Sequence, residues 1–196
     1  MNNLLNSLGG SLTLTTGKYP QKVAMINYGG LKFTYEEFNQ RVNRLANVLI
    51  ELGIRKGEKV AYLFLNSSQF LEIHYAVAKA GAVGVPLNFR LVGRELAYQI
   101  NHSDSICLIF GTEFKEVVEK IKPELPNVKC FIYDGEEEKE FLSYEKLITS
   151  GKPAEPGIEV SLYDENLILY MTYALNGNCF HFGLLLIHLI SALSGQ

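Results

Sequence analysis

The chain is poor in cysteine, has no dense cluster of basic residues and, until its last stretch, no long apolar run. Each shortage closes off a class of protein. Three cysteines, Cys107, Cys130 and Cys179, are widely spaced and odd in number. That suits neither a disulfide framework nor a paired-CxxC zinc site, and a reducing compartment fits best. No window of Lys and Arg is dense enough to neutralise a run of phosphates, so nucleic acid is not an expected partner. From Met1 to Pro20 there is no basic segment followed by a compact apolar block, the mark of a secretory leader, and the expected location is cytoplasmic. The one strongly apolar stretch, Phe180 to Leu193, contains His181 and His188. It is shorter than the ~20 residues a transmembrane helix needs. A buried helix, not a membrane span, is the expectation there.

What is present argues for an ordinary globular chain. Of 196 residues, 47% are hydrophobic and 20% charged, with 11 Phe and 11 Tyr and a formal net charge of -3. One domain, or one and a fraction, fits that length. The apolar content is ample to offset the entropy of ordering the backbone, which excludes a disordered chain.

Periodicity supplies the organisation. Val23 to Tyr28 and Leu31 to Thr34 read as two short strands about Gly29-Gly30, a hairpin signal. A phosphate loop at those glycines is disfavoured, because no helix starts after them at the required spacing. Thr34-Tyr-Glu-Glu37 is a capping box that starts a helix at Tyr35; Phe38, Val42, Leu45, Leu49 and Leu52 share one face, and Gly53 stops it. Lys59 to Leu65 reads as a strand, Ser67 or Ser68 caps a helix to Ala80, and Val83 to Val85 is strand-like again. The alternation continues with a helix at Gly93 to His102, a strand at Ile106 to Phe110, a helix at Glu113 to Ile121, and strands at Val128 to Tyr133 and Leu167 to Thr172. The expected fold class is therefore α/β, a mainly parallel sheet flanked by helices. Asp134 to Glu140 is an acidic run expected to be a solvated loop, and Gly151 to Gly157 an irregular linker.

Chemistry-bearing motifs are scarce. There is no P-loop, no G-x-G-x-x-G and no G-x-S-x-G elbow. His74 lies with Phe70, Ile73 and Val77 on a helix face, without a second His, Cys or carboxylate at ligand spacing, and reads as a satisfied interior or interface histidine; no metal site is expected. His102 closes a helix, where a partial positive charge is favourable.

Leu31-Lys-Phe-Thr-Tyr-Glu-Glu-Phe38, Arg41-Val-Asn-Arg-Leu-Ala46, Leu52-Gly-Ile-Arg-Lys-Gly-Glu-Lys-Val-Ala61, Asn66-Ser67, Lys79-Ala-Gly-Ala-Val-Gly-Val-Pro-Leu-Asn88 and Arg94-Glu-Leu-Ala-Tyr98 stand in an order and spacing that resembles the opening of the adenylate-forming enzymes, the superfamily of acyl-CoA synthetases and luciferases. The resemblance covers about Tyr19 to Thr172 and favours the medium- and long-chain fatty acyl-CoA ligases over peptide synthetase domains. It implies the N-terminal α/β subdomain of such an enzyme over residues 1–172. It also implies a family chemistry in which ATP and magnesium convert a carboxylate to an acyl-adenylate, releasing pyrophosphate, before transfer to coenzyme A. The substrate class so implied is a carboxylic, chiefly fatty, acid.

The departure comes after Leu167-Ile-Leu-Tyr-Met-Thr-Tyr173. There the family carries a Thr-Ser-Gly-Thr-Thr-Gly-x-Pro-Lys-Gly loop, whereas this chain reads Ala174-Leu-Asn-Gly-Asn-Cys-Phe-His181. Residues 173–196 instead resemble a later family segment, a Pro-Leu-Phe-His element with its apolar helix, as though an internal deletion had joined the two; a frameshifted tail is the rival account. On that resemblance Phe180 and His181 match residues that border carboxylate and adenylate; the alternative is an apolar helix start with an incidental histidine. The family's ribose-binding aspartate region, hinge and small C-terminal domain with its catalytic lysine have no counterpart here. The expectation is thus a ligase fragment inactive as it stands, with no catalytic residues, no cofactor and no metal of its own. It could self-associate through its apolar tail. The alternatives are a non-catalytic interaction module of the same fold and an unrelated flavodoxin-like binding domain.

Overall fold

The computed structural model describes residues 7–187 apart from 28, 162, 176 and 177, and for 171–187 it describes the backbone. The chain opens with α1 (Leu8–Lys18), capped by the Ser7 hydroxyl accepting from Gly10 N. β1 (Val23–Ile26) and β2 (Lys32–Thr34) form the expected hairpin, a two-stranded antiparallel sheet of its own. α2 (Tyr35–Glu51) begins at the capping box: Thr34 Oγ1 accepts from Glu37 N, and the Glu37 carboxylate accepts from Thr34 N at 2.8 Å. Then follow β3 (Lys59–Leu63), α3 (Ser68–Lys79), β4 (Val83–Pro86), α4 (Gly93–His102), β5 (Ser105–Phe110), α5 (Lys115–Ile121), β6 (Cys130–Tyr133), β7 (Leu142–Ser143), α6 (Tyr144–Ser150), β8 (Leu167–Leu175) and β9 (Asn178–Ile187).

Strands β3 to β9 make one seven-stranded sheet in the order β7-β6-β5-β3-β4-β8-β9, parallel throughout except for the β8–β9 pair. Alternation along the strands sorts the core into two layers. Val60, Tyr62, Phe64, Cys107 and Ile109 face α1, α2, α3 and α6, while Ala61, Leu63, Leu108 and Phe110 face α4 and α5. A strand buried on both faces must be apolar at every position, which is why Val60 to Phe64 reads as a continuous run rather than an alternation.

Three segments differ from the expectation. α1 and the β7–α6 unit carry little periodicity, and only packing fixes them: Leu12, Tyr144 and Ile148 all join the first core layer. The linker is irregular, as expected, but it is bound. Arg44 donates to Gly151 O (2.7 Å), Asn43 to Pro153 O (3.0 Å), and Asn47 to Lys152 O and Ala154 O. The helix expected over Phe182 to Leu193 is not found where the chain is described, since Phe182 to Ile187 belong to strand β9; His188 to Leu193 lie outside the described residues. The cause is that an all-apolar run has no period of its own, so a partner decides its form. Here the partner is β8, and the two residues separating the strands are Asn176-Gly177, a pair that favours a two-residue hairpin.

The acidic run is a solvated loop, as expected. Residues Glu136 to Glu140 are exposed, and Lys115, Lys122 and Lys146 reach Glu138, Glu140 and Glu137.

Candidate functional site

In an open parallel sheet, ligands sit outside the carboxyl ends of the strands, where neighbouring strands send their connections to opposite faces. Here that point lies between β3 and β5. The chain leaves β3 through α3 on one face and leaves β5 through α5 on the other. The two strand ends stay joined by Gly111 N donating to Leu63 O (3.0 Å). Beside them a cavity of about 380 Å³ is lined by Met25, Ile26 and Asn27 of the hairpin and by Asn66, Ser67, Ser68, Phe70 and Leu71 where α3 begins. Its size is that of a small-molecule pocket.

The charged groups behind this edge are paired with one another. Glu72 of α3, 1% exposed, accepts from Arg41 Nε (2.6 Å) and Nη2 (3.0 Å) and from the Tyr144 hydroxyl (2.8 Å). Arg41 also reaches Glu145 at 2.6 Å. Burial works against the Arg41 charge, but the two carboxylates outweigh it and raise its pKa. Burial, then the Glu72 carboxylate, pushes the Tyr144 phenol well up. Burial likewise raises Asp134, helped by the charges of Glu145, Glu113 and Glu72. The guanidinium and carboxylates are thereby occupied in holding α2, α3 and α6 together. They form a frame rather than a reacting pair.

A second buried charge closes the other end of the α2–α3 interface. Lys79 Nζ donates to Asn39 Oδ1 (2.7 Å), Asn43 Oδ1 (2.8 Å), Thr13 Oγ1 (2.9 Å) and both oxygens of Glu155. Burial lowers the Lys79 pKa against the opposing pull of Glu155. Burial works to raise Glu155, yet the bonds from Lys79, Asn39 and Asn43 hold it below the usual carboxylate range. Gly9 is needed for this packing: a Cβ there would lie 2.6 Å from Lys79 Cγ. Sequence reading missed both networks. The available signal was the stripe Glu72, Ala76, Lys79 at i, i+4, i+7, an apolar position between two charges on a face that turns inward.

His74 is half-buried, with Nδ1 2.9 Å from the Tyr62 hydroxyl and its pKa lowered by burial. His102 ends α4, its Nδ1 2.9 Å from the hydroxyl of Tyr170, whose pKa burial raises to about 12. Among the described residues no three His, Cys, Asp or Glu side chains are placed to hold a metal ion.

The decisive region is the end of β8. Leu167 pairs with Gly84; β4 stops two residues later at Pro86, whereas β8 runs on to Leu175, past the carboxyl end of its neighbour. In that extension Thr172 is paired with His181, Tyr173 with Phe180, Ala174 with Cys179 and Leu175 with Asn178. Phe180 and His181 therefore stand on β9 opposite Tyr173 and Thr172, the residues just before the chain departs from the family sequence.

Residues 13–173 match the AMP-binding enzyme family. The chain belongs to that family. It is 33% identical over 149 residues to a long-chain-fatty-acid–CoA ligase, FadD13, of Mycobacterium tuberculosis, covering 76% of this chain and 28% of that protein. It is 37% identical over 110 residues to a crotonobetaine/carnitine–CoA ligase of Escherichia coli, covering 54% and 21%. Among solved structures, the N-terminal domain of FACL13 from Mycobacterium tuberculosis superposes with a TM-score of 0.78 at 30% identity, over 84% of this chain and 41% of that one. An anthranilate CoA ligase, AuaEII, shares the fold with a TM-score of 0.80 at 23% identity. The chain spans under a third of the length of the curated relatives it matches.

Set against this family, the end of β8 does not fit a triphosphate. A phosphate cradle needs backbone N–H groups that converge on an anion from a glycine-rich turn. Here the backbone of residues 172–175 is paired with β9.

Proposed function

We propose that the chain is by descent the N-terminal α/β portion of an AMP-forming fatty acid–CoA ligase and that, as it stands, it does not adenylate carboxylates. The observation that carries this reading is the β8–β9 hairpin at the position of the phosphate loop. ATP, magnesium and coenzyme A are the family's reactants, and an enzyme contributes ~8–23 kcal/mol to a transition state, which for phosphoryl chemistry comes chiefly from oriented donors and cations. Residues 174–181 read Ala-Leu-Asn-Gly-Asn-Cys-Phe-His, without the Ser/Thr/Gly-rich run and lysine that would supply those donors. The sequence of residues 179–195 retains, on this reading, a later family segment brought next to β8 by deletion; genomic DNA around codon 174 carrying a frameshift instead would replace that account. Cytoplasmic residence is part of the same proposal, supported by the free thiols of Cys107 and Cys130. The test is ATP–pyrophosphate exchange with short, medium and long acids. No carboxylate-dependent exchange is expected, and clear exchange with any acid would overturn the reading.

A second reading, a non-catalytic interaction module, is favoured by one feature: among the described residues β9 is the outermost strand of its sheet and pairs only with β8. Such an edge is a template for another strand. Concentration-dependent self-association that disappears when residues 174–196 are removed is the outcome this reading expects.

A further inference from the structure

Cys107 and Cys130 are direct register partners on the parallel strands β5 and β6, and both belong to the core layer under α2 and α6. Adjacent strands lie about 4.8 Å apart, inside the ~4.4–6.8 Å separation of α-carbons that a disulfide spans. The two thiols hydrogen-bond to each other. Their surroundings are unequal. Cys107 is 0% exposed, between Val60 of β3 and Cys130. Cys130 is half-buried and is the first residue of β6; β7 pairs with Ile132 and Tyr133, so among the described residues no strand flanks Cys130 on its outer side.

We propose that Cys107 and Cys130 form an oxidisable dithiol that hydroperoxides convert to a disulfide, with Cys130 the reacting thiol and Cys107 the resolving one. Cys130 is the more exposed of the two. The hydrogen bond from Cys107 also lowers its pKa, while the bond to Cys130 and burial raise that of Cys107. The thiolate is the nucleophile, so reactivity and access coincide on one sulfur. In the first step the Cys130 sulfur attacks one peroxide oxygen, the O–O bond breaks, the alcohol or water leaves with the thiol proton, and Cys130 becomes a sulfenic acid. In the second, the Cys107 sulfur attacks that of Cys130, the S–O bond breaks, and water departs with the hydroxyl and the Cys107 proton. Two thiols are oxidised and one peroxide reduced. The product ties the amino-terminal half of β5 to the start of β6, away from the carboxyl edge, and needs no third group. A dithiol of this kind suits a reducing compartment, where disulfides are transient and report oxidant.

The test is peptide mapping of the full chain after hydrogen peroxide, with thiols blocked before digestion. Trypsin places the three cysteines on separate peptides: Glu95–Lys115, Cys130–Lys139 and the segment from Leu147 onward. In native buffer the expected product joins the first two peptides alone, whereas in concentrated urea oxidation spreads over all three pairings. The C107S variant should accumulate a dimedone-reactive sulfenic acid at Cys130, and C130S should leave Cys107 unmodified. A native pattern no more selective than that in urea, a predominant link to Cys179, or oxidation of Cys107 in C130S would overturn the assignment. The wild-type mapping decides it even if a variant fails to fold.

Discussion

The crossovers from β3 to β6 and the β8–β9 hairpin belong to one sheet but rest on different information. In the crossovers every element carries its own period and punctuation: a capping box at Thr34, a Ser67 cap, and Gly53 and Gly81 at positive φ where helices end. Their helices bury one stripe, so register and face are specified locally. The hairpin carries no Asp, Glu, Lys or Arg from Ala174 onward. Nothing along it distinguishes inside from outside, and pairing alone fixes its form. Local specification thus holds the scaffold, while among the described residues β9 is paired with β8 alone.

Four substitutions and one truncation sharpen that contrast. Leu45→Ala, at a side chain with no exposure on α2, should cost ~4 kcal/mol in urea unfolding, the cavity and transfer terms together. Glu72→Ala removes the partner of a largely buried guanidinium and of the Tyr144 hydroxyl. With Arg41 still a quarter exposed, about 3 kcal/mol is expected. Thr34→Ala strips the α2 cap for ~1 kcal/mol.

Glu155 gives a pH signature. Its folded pKa lies below the ordinary value of 4.5, so it adds stability above that value and loses it as pH falls through the lowered one. Stability should decline below about pH 4.5, and Glu155→Gln should flatten that limb in denaturation curves taken across the acid range. Removing residues 174–196 should have the smallest effect on the scaffold's unfolding midpoint while raising the monomer fraction on size-exclusion chromatography. A shortened chain that aggregates more than the full one would show that the hairpin completes the core.

Much of the fold was legible because the signals were local. α4 runs over Gly93–His102, where its pattern places it, and β5 and β6 differ from expectation only at their first residues. What was not legible depends on distant partners. The start of α1 shows its reason only when Gly9 is seen against Lys79, and Gly151 to Gly157, read as an irregular linker, is bound by Arg44, Asn43, Asn47 and Lys79. Of the proposed site, the absence of a Ser/Thr/Gly-rich run was readable from residues 174–181. The Asn176-Gly177 turn signal was also in the sequence, but the apolar run beyond it read as helix. Phe180 and His181 do come to the end of the sheet, as residues of a strand and not of a helix start.

The central claim is that the end of β8 and the start of β9 are committed to pairing with each other where an adenylating enzyme keeps free amides for phosphate. Amide hydrogen exchange over residues 172–181, with and without magnesium-ATP, tests it most directly. The expected result is slow exchange at the paired amides that ATP does not change, since paired strand amides open only with the hairpin itself. Fast exchange that slows on adding magnesium-ATP would contradict it, because it would mean that these amides are free and take up phosphate.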